Sequence, residues 1–397
     1  MKKHILFLCA LAALVLSCSK DGYYDYKSGA YGYGESADGS SVGSGDSGNS
    51  QAGKVTAGEW NDLNHWQFWS KLMNNQGENG FSGMPDYWGF DTRGRVAVHV
   101  TNPDGSPAIN TLVQLSYKNA REWETRTDNH GNASLWLGLY GMPEEVDSTA
   151  VSLTVAGTPV AKAPLITAFR DTTVLVNEIA LAAAQTASNK ADIAFIVDAT
   201  GSMYDEIDFL KDDLLDILNK VKDVSASNQI RTGALFYRDE GDDYVTIHSD
   251  FSSDVKTTHD FINKQKADGG GDYPEAVHTA LAGSLQSLSW DPEARSRIAF
   301  LILDAPAHHE KAVIESLHKS VTNFAKNGIR LIPVTASGTD KNTEFMCRFF
   351  AIATGGTYVF ITNDSGIGGN HIEASVGEYE VELLNSLMVR LINEYIE

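Results

Sequence analysis

Cysteine is scarce in this chain: 397 residues contain only Cys9, Cys18 and Cys347. Cys9 falls in a segment expected to be removed and Cys18 at a position expected to be modified. Cys347 then stands alone, and no intramolecular disulfide is open to the mature chain. Stability must come from core size, which a hydrophobic content of 42% can supply, or from bound metal. Basic residues are also few, 31 Lys and Arg against 52 Asp and Glu, for a formal net charge of −21. That balance excludes nucleic acid and anionic headgroups as partners of the surface as a whole. It leaves clusters of carboxylates to hold cations. The apolar run Ile5 to Leu16 is well short of the roughly twenty residues of a spanning helix. No G-x-x-x-x-G-K-[ST] loop, H-E-x-x-H helix or G-x-S-x-G elbow is present. The glycines at 269–271 follow a helical pattern, not a strand, which excludes a dinucleotide fingerprint.

Lys2 and Lys3 precede the first apolar run, the pattern of a secretory signal peptide over residues 1–17. The run ends in Val15-Leu16-Ser17-Cys18, which resembles the processing box of bacterial lipoproteins. The resemblance implies that Cys18 becomes the first mature residue and carries acyl chains, palmitate among them. Two or three chains anchor stably, where one alone is marginal. Ser19, in place of Asp, is similar to cargo sorted to the outer membrane of the cell envelope. Residues 18–54 are rich in Gly, Ser, Asp and Tyr. They bury too little surface to offset their ordering entropy and read as a flexible tether.

Residues 55–92 read as an aromatic-rich linker with a short helix. Trp66, Trp69 and Met73 have helical spacing and predict packing against a neighbouring domain. Residues 93–178 read as strands. Val96, Val98 and Val100 alternate with polar or small residues, as do Val113 and Leu115, Leu135 and Leu137, and Val151, Leu153 and Val155. Turns are marked by Asn102-Pro103-Asp104-Gly105 and Asp128-Asn129-His130-Gly131. This is the pattern of a small all-β sandwich. It resembles the prealbumin-like domain of carboxypeptidase regulatory regions, which implies a structural spacer.

Beyond residue 188 the period changes. Continuous apolar runs at 193–197, 230–237, 298–303, 329–334 and 357–361 are what parallel strands covered on both faces look like. Helical patterns lie between them, the first carrying Ile207, Leu210, Leu214, Ile217 and Val221. The expectation for 188–395 is an α/β domain with a doubly wound, mostly parallel sheet. Tyr244 to Phe251 is expected to add an antiparallel edge strand. Cys347, between Met346 and Phe349, is expected in the core.

Ligands of such sheets bind at the carboxyl ends of strands. Three polar clusters are expected there. Asp198-Ala199-Thr200-Gly201-Ser202 follows the first strand and offers a carboxylate and two hydroxyls, ligands for a hard cation. Asp205 and Glu206 suit the start of the next helix. Gly269-Gly270-Gly271-Asp272-Tyr273-Pro274-Glu275 places Asp272 as a cap or ligand, Pro274 at a first helical position and Glu275 as a helix cap. Asp304 follows the strand 298–303, with His308 and His309 on the rim. Carboxylates brought together repel one another unless a cation joins them.

Asp198-x-Thr200-x-Ser202, the Gly-rich loop and Asp304 together are similar to the metal-ion-dependent adhesion site of von Willebrand factor A domains, over roughly 190–395. The GGGD-x-PE form and Tyr237-Arg238-Asp239 resemble a bacterial subgroup. The resemblance implies one divalent cation, Mg²⁺ foremost and Ca²⁺ or Mn²⁺ as alternatives, held by Asp198, Thr200, Ser202, Asp272 and Asp304. It implies a protein partner that supplies an acidic side chain to the open coordination position, and no catalysis. Asp272 stands where the family commonly has threonine. A further anionic ligand weakens the pull on an incoming carboxylate, unless it acts through water. Asp239 is a candidate acceptor for a metal-bound water, with Arg238 either beside it in that role or paired to it internally. Two other classes remain open from the residues: a metal-dependent hydrolase or phosphoryl-transfer enzyme, and a purely structural envelope protein.

Replacing the expected lipidation site, Cys18→Ser, should abolish incorporation of labelled fatty acid and move the protein to the soluble fraction. A wild-type chain that takes up no label overturns the lipoprotein reading.

Overall fold

The computed structural model describes residues 53–397 except 78, 144, 170, 172, 225–227 and 367–370. The expected leader, Cys18 and nearly all of the tether lie outside the described residues.

The first strand, β1 (Thr56–Trp60), belongs to the segment read as a linker. It is instead part of the C-terminal sheet, antiparallel to its neighbour, with Gly58 opposite Phe360 and Trp60 opposite Tyr358. Two helices follow, α1 (Trp66–Asn74) and α2 (Met84–Trp88). Trp66, Trp69 and Met73 are buried, as their spacing predicts. Asp62 fixes this segment in place. Its carboxylate accepts two hydrogen bonds from Arg348, at 2.6 and 2.8 Å, and a third from the Trp60 indole at 3.0 Å. Arg348 is fully buried and also donates to Glu344 at 3.0 Å. Burial opposes its charge, but Asp62 and Glu344 more than offset this and hold its pKa above the usual arginine value.

Seven strands come next: β2 (Arg95–Thr101), β3 (Leu112–Tyr117), β4 (Ala120–Arg126), β5 (Asn132–Trp136), β6 (Val151–Val155), β7 (Thr158–Pro159) and β8 (Val176–Ala180). They form two small sheets, β5-β2-β8 and β4-β3-β6-β7. The period-two positions Val96, Val98, Val113, Leu115, Leu135 and Leu153 turn into one shared apolar cluster.

The remaining chain alternates: β9 (Lys190–Asp198), α3 (Ile207–Val224), β10 (Gln229–Tyr237), β11 (Thr246–Ser252), α4 (Val255–Ile262), α5 (Val277–Ser287), β12 (Ser296–Leu303), α6 (Lys311–Lys326), β13 (Ile329–Thr335), α7 (Lys341–Thr354), β14 (Tyr358–Ile361), β15 (Glu382–Leu383) and α8 (Leu384–Ile396). The sheet order is β11-β10-β9-β12-β13-β14-β1-β15. Strands β10, β9, β12, β13 and β14 are parallel, and β11 is the expected antiparallel edge. Successive residues of β9 face opposite sides. Ile196 joins a core shared with α5, α6, α7 and the small sheets, whereas Phe195 and Val197 join one beneath α3 and α8. Cys347 is buried in the first of these cores, as its neighbours predict. This is the mostly parallel α/β fold preceded by smaller all-β sheets. Among the described residues no helix is long and apolar enough to cross a membrane.

From β9 the chain moves to β10 on one side, and β12 is later added on the other. The carboxyl ends of β9 and β12 therefore flank the point where the winding reverses, the crevice that such sheets use for ligands.

Asp62→Ala leaves a buried guanidinium half-paired and should destabilise the fold by about 3–5 kcal/mol. Urea unfolding followed by tryptophan fluorescence measures this. A loss below about 1 kcal/mol, the value of an exposed pair, would show that the clamp carries little.

Candidate metal centre

Strand β9 ends at Asp198, which is fully buried, and the chain turns at once into a short 3-10 turn, Gly201–Asp205. The turn is held by Asp198 itself. Its Oδ1 accepts from the Thr200 amide at 2.9 Å and the Thr200 hydroxyl at 2.7 Å. The Thr200 and Ser202 hydroxyl oxygens are 3.2 Å apart. Asp198 Oδ2 is buried without a hydrogen bond. Tyr237, its register partner on β10, sits beside the carboxyl group.

Asp304 follows β12 directly and is buried, with Oδ1 unpartnered and the Ser202 hydroxyl beside it. A third acid joins them from the Gly-rich loop, and it is Glu275. Its backbone N–H donates to the Pro306 carbonyl at 2.9 Å and it bridges Ala307, which pins it beside the Asp304 loop. Glu275 is buried and its Oε2 has no partner. The loop lies against the first motif through Gly201 N–H to the Gly269 carbonyl, 3.0 Å, and Asp268 N–H to the Ala199 carbonyl, 3.0 Å. Gly270 is needed there. Its φ is +70°, and a Cβ would stand 3.0 Å from Glu275 Oε1 and 3.2 Å from Thr200 Cβ.

Burial raises all three acids, and mutual repulsion adds to it. Asp198 and Asp304 rise above the usual carboxylate range, and Glu275 is pushed up to about 9 by burial and by the charges of Asp198, Asp239 and Asp304. Among the described residues no three carboxylate, imidazole or thiol groups are arranged to hold an ion by themselves. The set on offer is mixed: two carboxylates and two hydroxyls, with Glu275 adjoining. An all-oxygen set with orphaned carboxylate oxygens fits a hard cation.

Several sequence expectations change here. Asp272 lies in the loop between α4 and α5, not after a strand, and is exposed. Its charge bears on His308. Helix α5 begins at Val277 with Ala276 as its cap residue, so Pro274 is not its first position and Glu275 does not cap it. Arg238 does not pair with Asp239. It donates to the Lys266 carbonyl at 3.0 Å, lies over the Tyr244 ring at 4.5 Å and approaches Asp268 at 4.0 Å. Asp239 instead meets His308 Nε2 at 2.9 Å. Burial lowers the His308 pKa, but Asp239 more than compensates and the net shift is upward. His309 turns away and stacks on Tyr87 at 3.5 Å. From the sequence Glu275 reads as a helix cap, because it is an acid just before a helix, and the structure gives that position to Ala276. Its neighbours Ala276 and Val277 are both buried with it.

Residues 192–327 match the family model of the von Willebrand factor A domain. The chain carries a von Willebrand factor A-like domain. It lies C-terminal to the β-rich region, and the match spans β9 to α6, including Asp198, Glu275 and Asp304. An ariadne-like RING finger protein of Acanthamoeba polyphaga mimivirus is 32% identical over 134 residues, 34% of this chain and 13% of that protein. Alpha-protein kinase vwkA of Dictyostelium discoideum is 31% identical over 147 residues, 36% of this chain and 23% of that protein. The chain thus spans under a quarter of either relative. Solved structures also match, two of them from Bacteroides. The conserved hypothetical protein BatB from Bacteroides thetaiotaomicron has 13% identity and a TM-score of 0.36, covering 52% of this chain and 98% of its own. An aerotolerance-related membrane protein from Bacteroides fragilis has 16% identity and a TM-score of 0.33, with the same coverage.

The raised carboxyl groups give a pH dependence of definite sign. Between the ordinary carboxylate range and about pH 9 the folded protein binds more protons at these sites than the unfolded chain. Stability therefore falls as pH rises through that window. Without divalent cation the melting temperature should drop between pH 5 and 8, and Asp304→Asn should flatten the slope. An unchanged slope in Asp304→Asn would refute the electrostatic account.

Proposed function

We propose that this protein is a lipid-anchored component of the cell envelope whose von Willebrand factor A-like domain binds an acidic protein partner through a divalent cation. The supporting observation is the crowding of Asp198, Glu275 and Asp304, each buried with an unpartnered carboxylate oxygen, around the Thr200 and Ser202 hydroxyls. Asp198, Thr200, Ser202 and Asp304 would hold the cation, directly or through water. When bound, Mg²⁺, Ca²⁺ or Mn²⁺ neutralises the carboxylates and accepts a further carboxylate from the partner.

The chain's own residues set how strongly that carboxylate is drawn. Asp198 and Asp304 as anions balance a dication. Glu275, buried and next to both, is the residue that adjusts this balance, the role expected from sequence for Asp272. Holding its proton, it leaves the cation attractive to an acid. Ionised, it adds a negative charge and weakens that attraction. Asp239 and His308 form a paired rim beside the site. The proposal is one of binding, not catalysis.

Calorimetric titration with MgCl₂, CaCl₂ and MnCl₂ tests the cation. Asp198→Ala and Asp304→Ala should each weaken binding at least tenfold, about 1.4 kcal/mol, with unchanged circular dichroism. Glu275→Gln should weaken the cation less, and should tighten capture of a Glu-rich peptide in its presence only at a pH where Glu275 is ionised, above about 9. No binding of any of the three cations would overturn the metal site. Cation binding with peptide capture indifferent to EDTA would overturn the adhesion role alone.

A further inference from the structure

The edge of the sheet opposite the carboxylate cluster has the reverse character. There, near the amino end of β13 and the end of α7, the small sheets and the α/β part flank an open cavity of about 540 Å³. Arg95 of β2 and Arg330 of β13 both line it. Arg95 is only 6% exposed. Its guanidinium donates to the Ser134 hydroxyl at 3.3 Å and the Leu63 carbonyl at 3.0 Å, and lies over the Trp66 ring at 4.7 Å. Every one of these partners is neutral. Burial alone pushes its pKa down to about 9. A buried cation without a counter-charge is costly to fold.

The acids that line the cavity are already engaged. Glu59 and Glu394 each accept from Arg390 at 3.0 Å. Asp128 accepts the amides of His130 and Asn132 at 2.9 and 2.8 Å. Arg330 donates to the carbonyls of Arg126 at 2.9 Å and Thr354 at 3.4 Å. Arg126 also lines it and donates to the Asn110 carbonyl at 2.9 Å, and the polar wall includes Asn61, Asn64, Asn132 and Ser134. Amides and hydroxyls both donate and accept, as the hydroxyls of a sugar do. The volume lies within the usual range of small-molecule sites, and a planar carboxylate is the natural complement of a guanidinium fork.

We infer that this cavity binds a small, hydroxyl-rich carboxylate, a sugar acid in chemical class, with Arg95 as the group that receives its carboxylate. The site lies across the sheet from the candidate metal centre and does not depend on the cation. Because Asn129 donates to the Glu394 carbonyl at 2.7 Å across the same junction, a bound ligand joins the two parts of the molecule.

Titration of the whole chain with sodium D-glucuronate, with D-glucose and inorganic phosphate as controls, tests this. Glucuronate should bind, with glucose and phosphate at least tenfold weaker. Arg95→Gln should weaken glucuronate at least tenfold while cation titrations stay unchanged. Should that variant not fold, Ser134→Asp supplies a carboxylate from within; it should raise the melting temperature and block glucuronate. Glucuronate binding no tighter than glucose or phosphate overturns the proposal, as does undiminished affinity in either folded variant.

Discussion

A single buried guanidinium ties the chain together. Arg348, on α7, is gripped from one side by Asp62 and from its own helix by Glu344. Lone buried charges are expelled or neutralised, so each partner requires the others. The consequence is geometric. With Asp62 held against α7, β1 is placed beside β14, and Trp69 of α1 comes to rest on Phe345 of α7 at 5.8 Å, while Trp66 packs on Trp136 and Phe169. Beyond them Phe90 stacks on Phe349 at 3.7 Å. The segment before the small sheets is thus built into the core that they share with the large one.

With one face of the sheet so covered and α3 and α8 on the other, polar chemistry is driven to the strand ends. Asp198 and Asp304 emerge where the winding of the sheet reverses, and Glu275 is brought in by its bridge to Ala307. In a medium that solvates charge poorly, three neighbouring acids either keep protons or attract a cation. That conflict gives the von Willebrand factor A-like domain its candidate function. At the opposite edge the uncompensated charge is positive, on Arg95. One sheet therefore separates a cluster of buried acids from a buried, uncompensated guanidinium.

Periodicity was enough to read the large pattern of this protein. Continuous apolar runs predict strands with both faces covered, and alternating ones predict sheets with a single buried face, because a strand's side chains repeat every two residues and a helix's every 3.6. The strands and helices of 190–396, the antiparallel edge at 246–252 and the paired small sheets follow from this. So does the first motif, because Asp198, Thr200 and Ser202 act within one turn, where spacing along the chain is spacing in space.

What spans distant segments was not legible. Nothing local distinguishes β1 from a linker strand, since its partners lie some three hundred positions onward and its register is chosen by Arg348 and Asp62. Asp272 and Glu275 look equally suited to a site from the chain alone. Only the docking of the Gly-rich loop on the Asp304 loop turns one to solvent and buries the other. Arg238 and Asp239 are neighbours in sequence, yet their side chains find separate partners in Lys266 and His308. Short-range order is set by residue type and period, which the sequence states outright. The identity of buried charge partners is set by which surfaces meet, and that was decided only by the tertiary structure.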